Sequence, residues 1–171
     1  MAERHGAVTF KGNPMTLVGN EVKVGDSAPD FKLTAQDMSD KTLSDYRGKK
    51  IILNVVPSLD TPVCDKQGRR FNEEAARLGD DTVVLAVSED LPFAQKRWCA
   101  AAGIDKVTTL SDYKHRQFGE QYGLMIKELG LLARAVLIID KQGKVQYVQL
   151  VKEVATEPNY DEVLTRAKAV A

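Results

Sequence analysis

The sequence predicts an α/β fold, a mixed central sheet flanked by helices, and three observations carry that prediction. Two apolar runs rich in β-branched residues, Ile51–Val56 and Thr82–Val87, read as strands buried on both faces. Each is followed by a stretch of helical spacing that closes on a glycine, Thr61 to Gly79 and Leu91 to Gly103. A third strong strand, Ala133–Ile139, turns through Asp140–Gly143 into Lys144–Leu150, a clear hairpin.

The remaining elements fall in around these. Val8 to Leu17 holds two short strand-like pieces about the turn Gly12-Asn13-Pro14, an N-terminal β-hairpin. Asn20–Val24 alternates polar and apolar residues and reads as a further edge piece, broken by Gly25–Pro29. Phe31–Leu33 is a short strand, and Lys41–Tyr46 a turn running into one helical turn. The first long helix carries Phe71, Ala75 and Leu78 on its stripe; the second carries Leu91, Ala94, Trp98 and Ala101. Val107–Leu110 is a strand, Asp112–Tyr122 a short helix ending at Gly123, and residues 124–132 a leucine-rich loop. Asn159–Val170 closes the chain as a helix with Tyr160, Val163, Leu164 and Ala167 on one face. Strands alternating with helices, then a hairpin and a last helix, make the thioredoxin-like arrangement, with additions at the N-terminus and between the second and third major strands. Helices are expected on both faces of the sheet. No linker, repeat or low-complexity tract interrupts residues 1–171, which are expected to form one domain.

Composition narrows the function. Lysine plus arginine and aspartate plus glutamate both total 24, so the net charge is zero, and no basic stripe marks a nucleic-acid or anionic-membrane binder. No apolar run approaches transmembrane length, and Met1–Phe10 has no signal-peptide core, so a cytoplasmic protein is expected. Two cysteines are too few for a disulfide scaffold.

The chemistry centres on Pro57-Ser-Leu-Asp-Thr-Pro-Val-Cys64. Thr61 suits the N-cap and Pro62 the first helical position, which places Cys64 third, inside the first turn. Free N–H groups and the positive end of the helix dipole there favour a thiolate over a thiol. Thr61 can cap the helix, or hydrogen-bond the sulfur or an oxygen that approaches it. Cys99, beside Trp98, is either a small apolar residue at a helix flank or a thiol that resolves an oxidised Cys64. Its distance along the chain from Cys64 rules out the C-x-x-C of a dithiol motif, and a bond between two helices would require local unwinding. Arg134 stands in the apolar stretch Leu131–Ile139, so it must be ion-paired or directed into a site. His5, in an N-terminus expected to fray, and His115, on the short charged helix, read as surface residues. The cysteines and histidines are not spaced for zinc, and the glycines form no phosphate loop. Met125 and Ile126 read as core or interface.

Pro57-x-x-x-Thr61-x-x-Cys64 with a later Arg134 resembles the peroxiredoxins. The longer string Pro57–Cys64, together with Cys99 and Leu132-Ala-Arg-Ala-Val, is similar to the bacterial thiol peroxidase subgroup, over nearly the whole chain. That resemblance implies that Cys64 is the peroxidatic cysteine, attacking a hydroperoxide and becoming a sulfenic acid. Pro57 would shield the pocket, while Thr61 and Arg134 bind the peroxide oxygens. Cys99 would be the resolving cysteine, forming an intramolecular disulfide that thioredoxin reduces. Members are typically homodimers without metal or organic cofactor. On this reading Cys64 is expected to be an accessible thiolate. Two other readings remain: a protein thiol–disulfide oxidoreductase, which leaves Thr61 and Arg134 unused, and a non-catalytic thioredoxin-like binding module.

Overall fold

The chain opens with β1 (Glu3–Phe10) and β2 (Asn13–Val18), paired antiparallel across the Lys11-Gly12 turn. β3 (Lys32–Thr34) and β4 (Asp40–Thr42) follow, then a 3-10 turn over Leu43–Tyr46 and the central strand β5 (Lys50–Val55). Next come α1 (Pro62–Ala75), β6 (Thr82–Ser88), α2 (Pro92–Ala102), β7 (Val107–Ser111) and a single helical turn, α3 (Phe118–Gln121). Two short strands, β8 (Met125–Ile126) and β9 (Leu131–Leu132), precede β10 (Ala135–Ile139), β11 (Val145–Leu150) and α4 (Tyr160–Ala169). The structure, a computed structural model, describes residues 1–171.

The main sheet has seven strands in the order β11-β10-β5-β6-β7-β3-β4. β5, β6 and β7 are parallel, with Ile51 opposite Val83 and Val84 opposite Val107, whereas β10 meets β5 antiparallel with Ala135 opposite Val55. Every residue of β5 is buried, the polar Lys50 and Asn54 as well as the apolar ones, as its central place in the sheet requires.

Side-chain alternation divides the core in two. Ile52, Val84, Ala86, Val136 and Ile138 face α1, α2 and α4, packing on Phe71, Cys99, Val163 and Ala167. Ile51, Leu53, Val55, Leu85, Val87 and Leu137 face the other way, onto Val8, Leu17, Phe118, Tyr122 and Leu132. Helices do lie on both faces, unevenly: the three long ones share one side, and only α3 occupies the other. A second sheet of order β1-β2-β8-β9 covers that side.

This second sheet corrects the reading of residues 124–132 as loop, because Leu17 pairs with Ile126 and Met125 with Leu132. Two-residue strands carry no period, so only their tertiary pairing reveals them. Asn20–Val24 forms no strand: Lys23 N–H donates to Asp26 Oδ2 at 2.8 Å, and Gly25 N–H to the Val145 carbonyl at 2.8 Å, bending the segment into a turn. The helix expected over 112–122 shrinks to α3, capped from outside by Asp112, whose carboxylate accepts the Phe118 and Gly119 N–H groups at 3.1 and 3.2 Å. His115 therefore sits in a turn, 2.9 Å from Asp40 Oδ1, and His5 belongs to β1 rather than to a frayed end. α1 ends at Ala75, short of Gly79. The buried face of α2 is Pro92, Gln95 and Cys99, one position round from the stripe expected; Leu91 and Ala94 are exposed. Gln95 turns the helix, since its amide donates to Ser88 Oγ at 3.1 Å and to the Leu110 carbonyl at 2.9 Å. No helix is long and apolar enough to cross a membrane.

Candidate active site

β5 delivers the chain to Pro57, which is buried, and the 58–61 loop carries it into α1. Thr61 is the N-cap in extended conformation, and its Oγ1 accepts the Cys64 N–H at 3.2 Å while donating to the Ser58 carbonyl at 3.3 Å. With Pro62 first, Cys64 is the third residue of the helix, as its capping residues predict.

Cys64 has no exposed surface: it clusters with Val56 and Leu59, and Trp98 packs against that cluster. The accessibility expected of the Cys64 sulfur is therefore not met in this conformation. The loop folds over the sulfur because Asp90, at the carboxyl end of β6, binds it down. Asp90 Oδ1 accepts Ser58 Oγ at 2.7 Å, and Oδ2 accepts the Leu59 N–H at 2.8 Å and Ser88 Oγ at 2.7 Å. A groove of about 680 Å³ opens outside this cover, between the loop and α2, lined by Leu59, Asp60, Leu91, Phe93, Arg97 and Trp98.

Arg134 reaches the same place from β10. It precedes Ala135, which pairs with Val55, so it comes alongside Val56, and alternation puts it on the α1 face with Val136 and Ile138. It is 2% exposed. Nε donates to the Val154 carbonyl and Nη1 to Gln67 Oε1, both at 2.8 Å. Gln67 is fully buried one turn beyond Cys64, and its amide donates in turn to Asn54 Oδ1 on β5. No carboxylate pairs with Arg134: every partner it has is a neutral oxygen. A buried cation held only by neutral groups leaves its charge available to an anion beside it.

Cys99 is buried in a different cluster, against Ile52, Phe71 and Ile104, and both cysteines are free thiols. Burial pushes the Cys99 thiol above the ordinary range, while Thr109 and Gln36 oppose that shift. Gln36 Nε2 lies 3.5 Å from the sulfur and 2.6 Å from Thr109 Oγ1.

Thr61, Cys64, Pro57 and Arg134 are thus gathered at one corner of the sheet, and Cys99 stands apart on the facing helix. Gln67, Asn54, Asp90 and Gln36 escaped the sequence reading. Gln67 alone had a signal there, since it follows Cys64 by one helical turn; the others are linked only by tertiary contacts. No group of three or more histidine, cysteine or acidic side chains is disposed to hold a metal ion.

A thioredoxin-like fold that presents a cysteine at a helix N-terminus, with a buried arginine free of any carboxylate tied to that helix through Gln67, defines a thiol-based redox protein. Comparison with known proteins agrees, and the chain belongs to the redoxin family, whose model matches residues 23–164. It is 56% identical over 163 residues to the thiol peroxidase of Bacillus subtilis, covering 95% of this chain and 97% of that one. The thiol peroxidase of Streptococcus pneumoniae is 53% identical over 163 residues, 95% of this chain and 99% of its own. Among solved structures, a peroxiredoxin-like protein from Aquifex aeolicus superposes with a TM-score of 0.91 at 46% identity, covering 98% of this chain and 99% of that one.

Proposed function

We propose that the chain is a thiol-dependent peroxidase that reduces hydrogen peroxide and organic hydroperoxides to water and alcohols. The observation that carries this reading is Arg134, buried without a carboxylate partner and tied through Gln67 to the helix that starts at Cys64. The Cys64 thiolate is the anion that such a cation suits. Its sulfur bonds one peroxide oxygen as the O–O bond breaks, and is oxidised by two electrons to the sulfenic acid. The other oxygen leaves as hydroxide or alkoxide and takes a proton to become water or alcohol.

In this reading Thr61 and Arg134 hydrogen-bond the peroxide oxygens, and Pro57 keeps bulk water from the sulfur. The Cys99 thiol then condenses with the sulfenic acid: an S–S bond forms, the S–O bond breaks, and water leaves. A dithiol reductant of the thioredoxin type returns the disulfide to two thiols and is itself oxidised. No metal or organic cofactor enters the cycle. The reading extends to a cytoplasmic homodimer. Two free thiols suit a reducing compartment, and Leu91 and Phe93, 51% and 66% exposed, supply apolar surface beside the groove.

Thioredoxin-coupled turnover of several hydroperoxides tests the proposal. Cys64→Ser is expected to abolish turnover and Cys99→Ser to block recycling by thioredoxin. Turnover that survives Cys64→Ser contradicts it.

A further inference from the structure

On the proposed cycle Cys99 must reach Cys64, yet the reduced fold holds the two thiols in separate clusters with one side chain packed against both, Trp98. Trp98 precedes Cys99 on α2, and Asp65 follows Cys64 on α1. The Trp98 indole Nε1–H donates to Asp65 Oδ1 at 2.8 Å. The carboxylate is itself fixed, because Oδ2 accepts Arg69 Nε at 2.9 Å one turn along α1. Arg69 also donates from Nη1 to the carbonyl of Ala102, the last residue of α2, at 3.3 Å.

Gly68 completes the seat. It lies inside α1, where glycine weakens a helix, and a Cβ there would stand 2.8 Å from Trp98 Cζ2 and closer still to Cη2. What the position requires is close approach: the indole lies directly on the backbone of α1. The bond between Asp65 and Trp98 therefore joins the two neighbours of the reacting cysteines, and α2 cannot bring Cys99 toward Cys64 by unwinding without disturbing it.

We infer that Trp98, seated on Gly68 and hydrogen-bonded to Asp65, is a positioning residue that holds α2 against α1 in the reduced form and sets the rate at which Cys99 reaches the oxidised Cys64. The inference rests on the cycle proposed above. Its consequence is a partition. While α2 stays latched, the Cys64 sulfenic acid waits, and a second hydroperoxide can add another oxygen to the sulfur. That step gives the sulfinic acid, breaks a second O–O bond and releases water or alcohol. Release of the latch favours the disulfide instead.

The test mixes reduced wild type, Trp98→Phe, Asp65→Ala and the double variant with hydrogen peroxide. Samples are quenched at intervals, and Cys64 is scored by mass as thiol, sulfenic acid, sulfinic acid or disulfide to Cys99. Each single variant is expected to convert sulfenic acid to disulfide about fivefold faster, as loss of a hydrogen bond to a partly exposed carboxylate allows, with less sulfinic acid. The double variant should be no faster than Trp98→Phe alone, because that substitution already removes the indole N–H through which Asp65 acts. Asp65→Asn, whose amide oxygen still accepts the indole N–H, should return toward the wild-type rate. Trp98 is the only tryptophan in the chain, so wild-type emission should shift to the red as the disulfide forms. Unchanged or slower conversion, effects that multiply in the double variant, or an unshifted emission overturn the latch. Failure of the wild type to form any Cys64–Cys99 disulfide is a different result, and overturns the proposed cycle itself.

Discussion

Arg134 Nη1 donates to Gln67 Oε1 at 2.8 Å, and Gln67 lies one helical turn beyond Cys64. Because the amide end of Gln67 is turned toward Asn54, its oxygen is committed to the guanidinium. The contact orients a buried cation without neutralising it, and that distinction can be tested.

Gln67→Glu supplies Arg134 with the carboxylate it lacks. Pairing offsets burial of the new charge, so stability should stay within about 1 kcal/mol of wild type. The guanidinium would then be held by the introduced carboxylate rather than by the thiolate. The rate of Cys64 oxidation should fall about tenfold, roughly one pKa unit of lost stabilisation. Gln67→Leu should instead destabilise by about 2 kcal/mol, since a buried donor of Arg134 is left unsatisfied. Urea denaturation and stopped-flow oxidation measure the two quantities separately.

Asp90→Ala removes three hydrogen bonds that hold Ser58, Leu59 and Ser88 around the start of α1. A loss of roughly 3 kcal/mol is expected, as for several bonds to one carboxylate. The Cys64 thiol should also become open to a bulky alkylating reagent, because the covering loop is no longer bound down. Alkylation rates of reduced wild type and variant give the comparison.

Much of this arrangement is written in local residue patterns. Buried strand runs, Thr61-Pro62 and the Gly103 stop carry the order of elements along the chain and the place of Cys64, since capping and periodicity are short-range physics. Arg134 is conspicuous because a charge in an apolar run needs a reason. What ties Arg134 to the helix that carries Cys64 is a neutral amide, Gln67, itself bonded to Asn54, and neutral polar residues on a helix or strand look like surface until the partner is seen. The same effect misplaced the buried face of α2: Gln95 is fully buried, so an apolar stripe one position away fits the sequence better than it fits the fold. Burial of Cys64 depends on Asp90, which acts across the sheet edge and leaves no local mark.

Gly68→Ala sets two effects of opposite sign against each other. Alanine favours the helix interior by about 1 kcal/mol, whereas overpacking of a tight contact costs about 1–3 kcal/mol. With Trp98 Cζ2 only 2.8 Å from the new Cβ, the clash should win. The variant should lose about 1 kcal/mol. In a Trp98→Phe background, where the ring is smaller, the same substitution should be neutral or stabilising. Thermal or urea unfolding of the four proteins measures both differences.

Burial raises the Cys99 thiol, and Thr109 and Gln36 pull it back. A raised value means less thiolate at any given pH, so alkylation of Cys99 in a Cys64→Ser background should rise with pH through a midpoint above that of an unfolded thiol. Gln36→Leu removes one of the opposing donors and should move the midpoint further up. A midpoint equal to that of the unfolded chain would mean that Cys99 reacts only after leaving its pocket.

Cys64 takes the peroxide oxygen in the proposed cycle, and Cys99 clears it. Peptide mass mapping after one equivalent of hydrogen peroxide, on reduced wild type and on Cys99→Ser, reads both steps at once. A Cys64–Cys99 disulfide is expected in the wild type and a sulfenic acid on Cys64 in the variant. An unmodified Cys64 in Cys99→Ser, with the peroxide consumed, would refute the cycle.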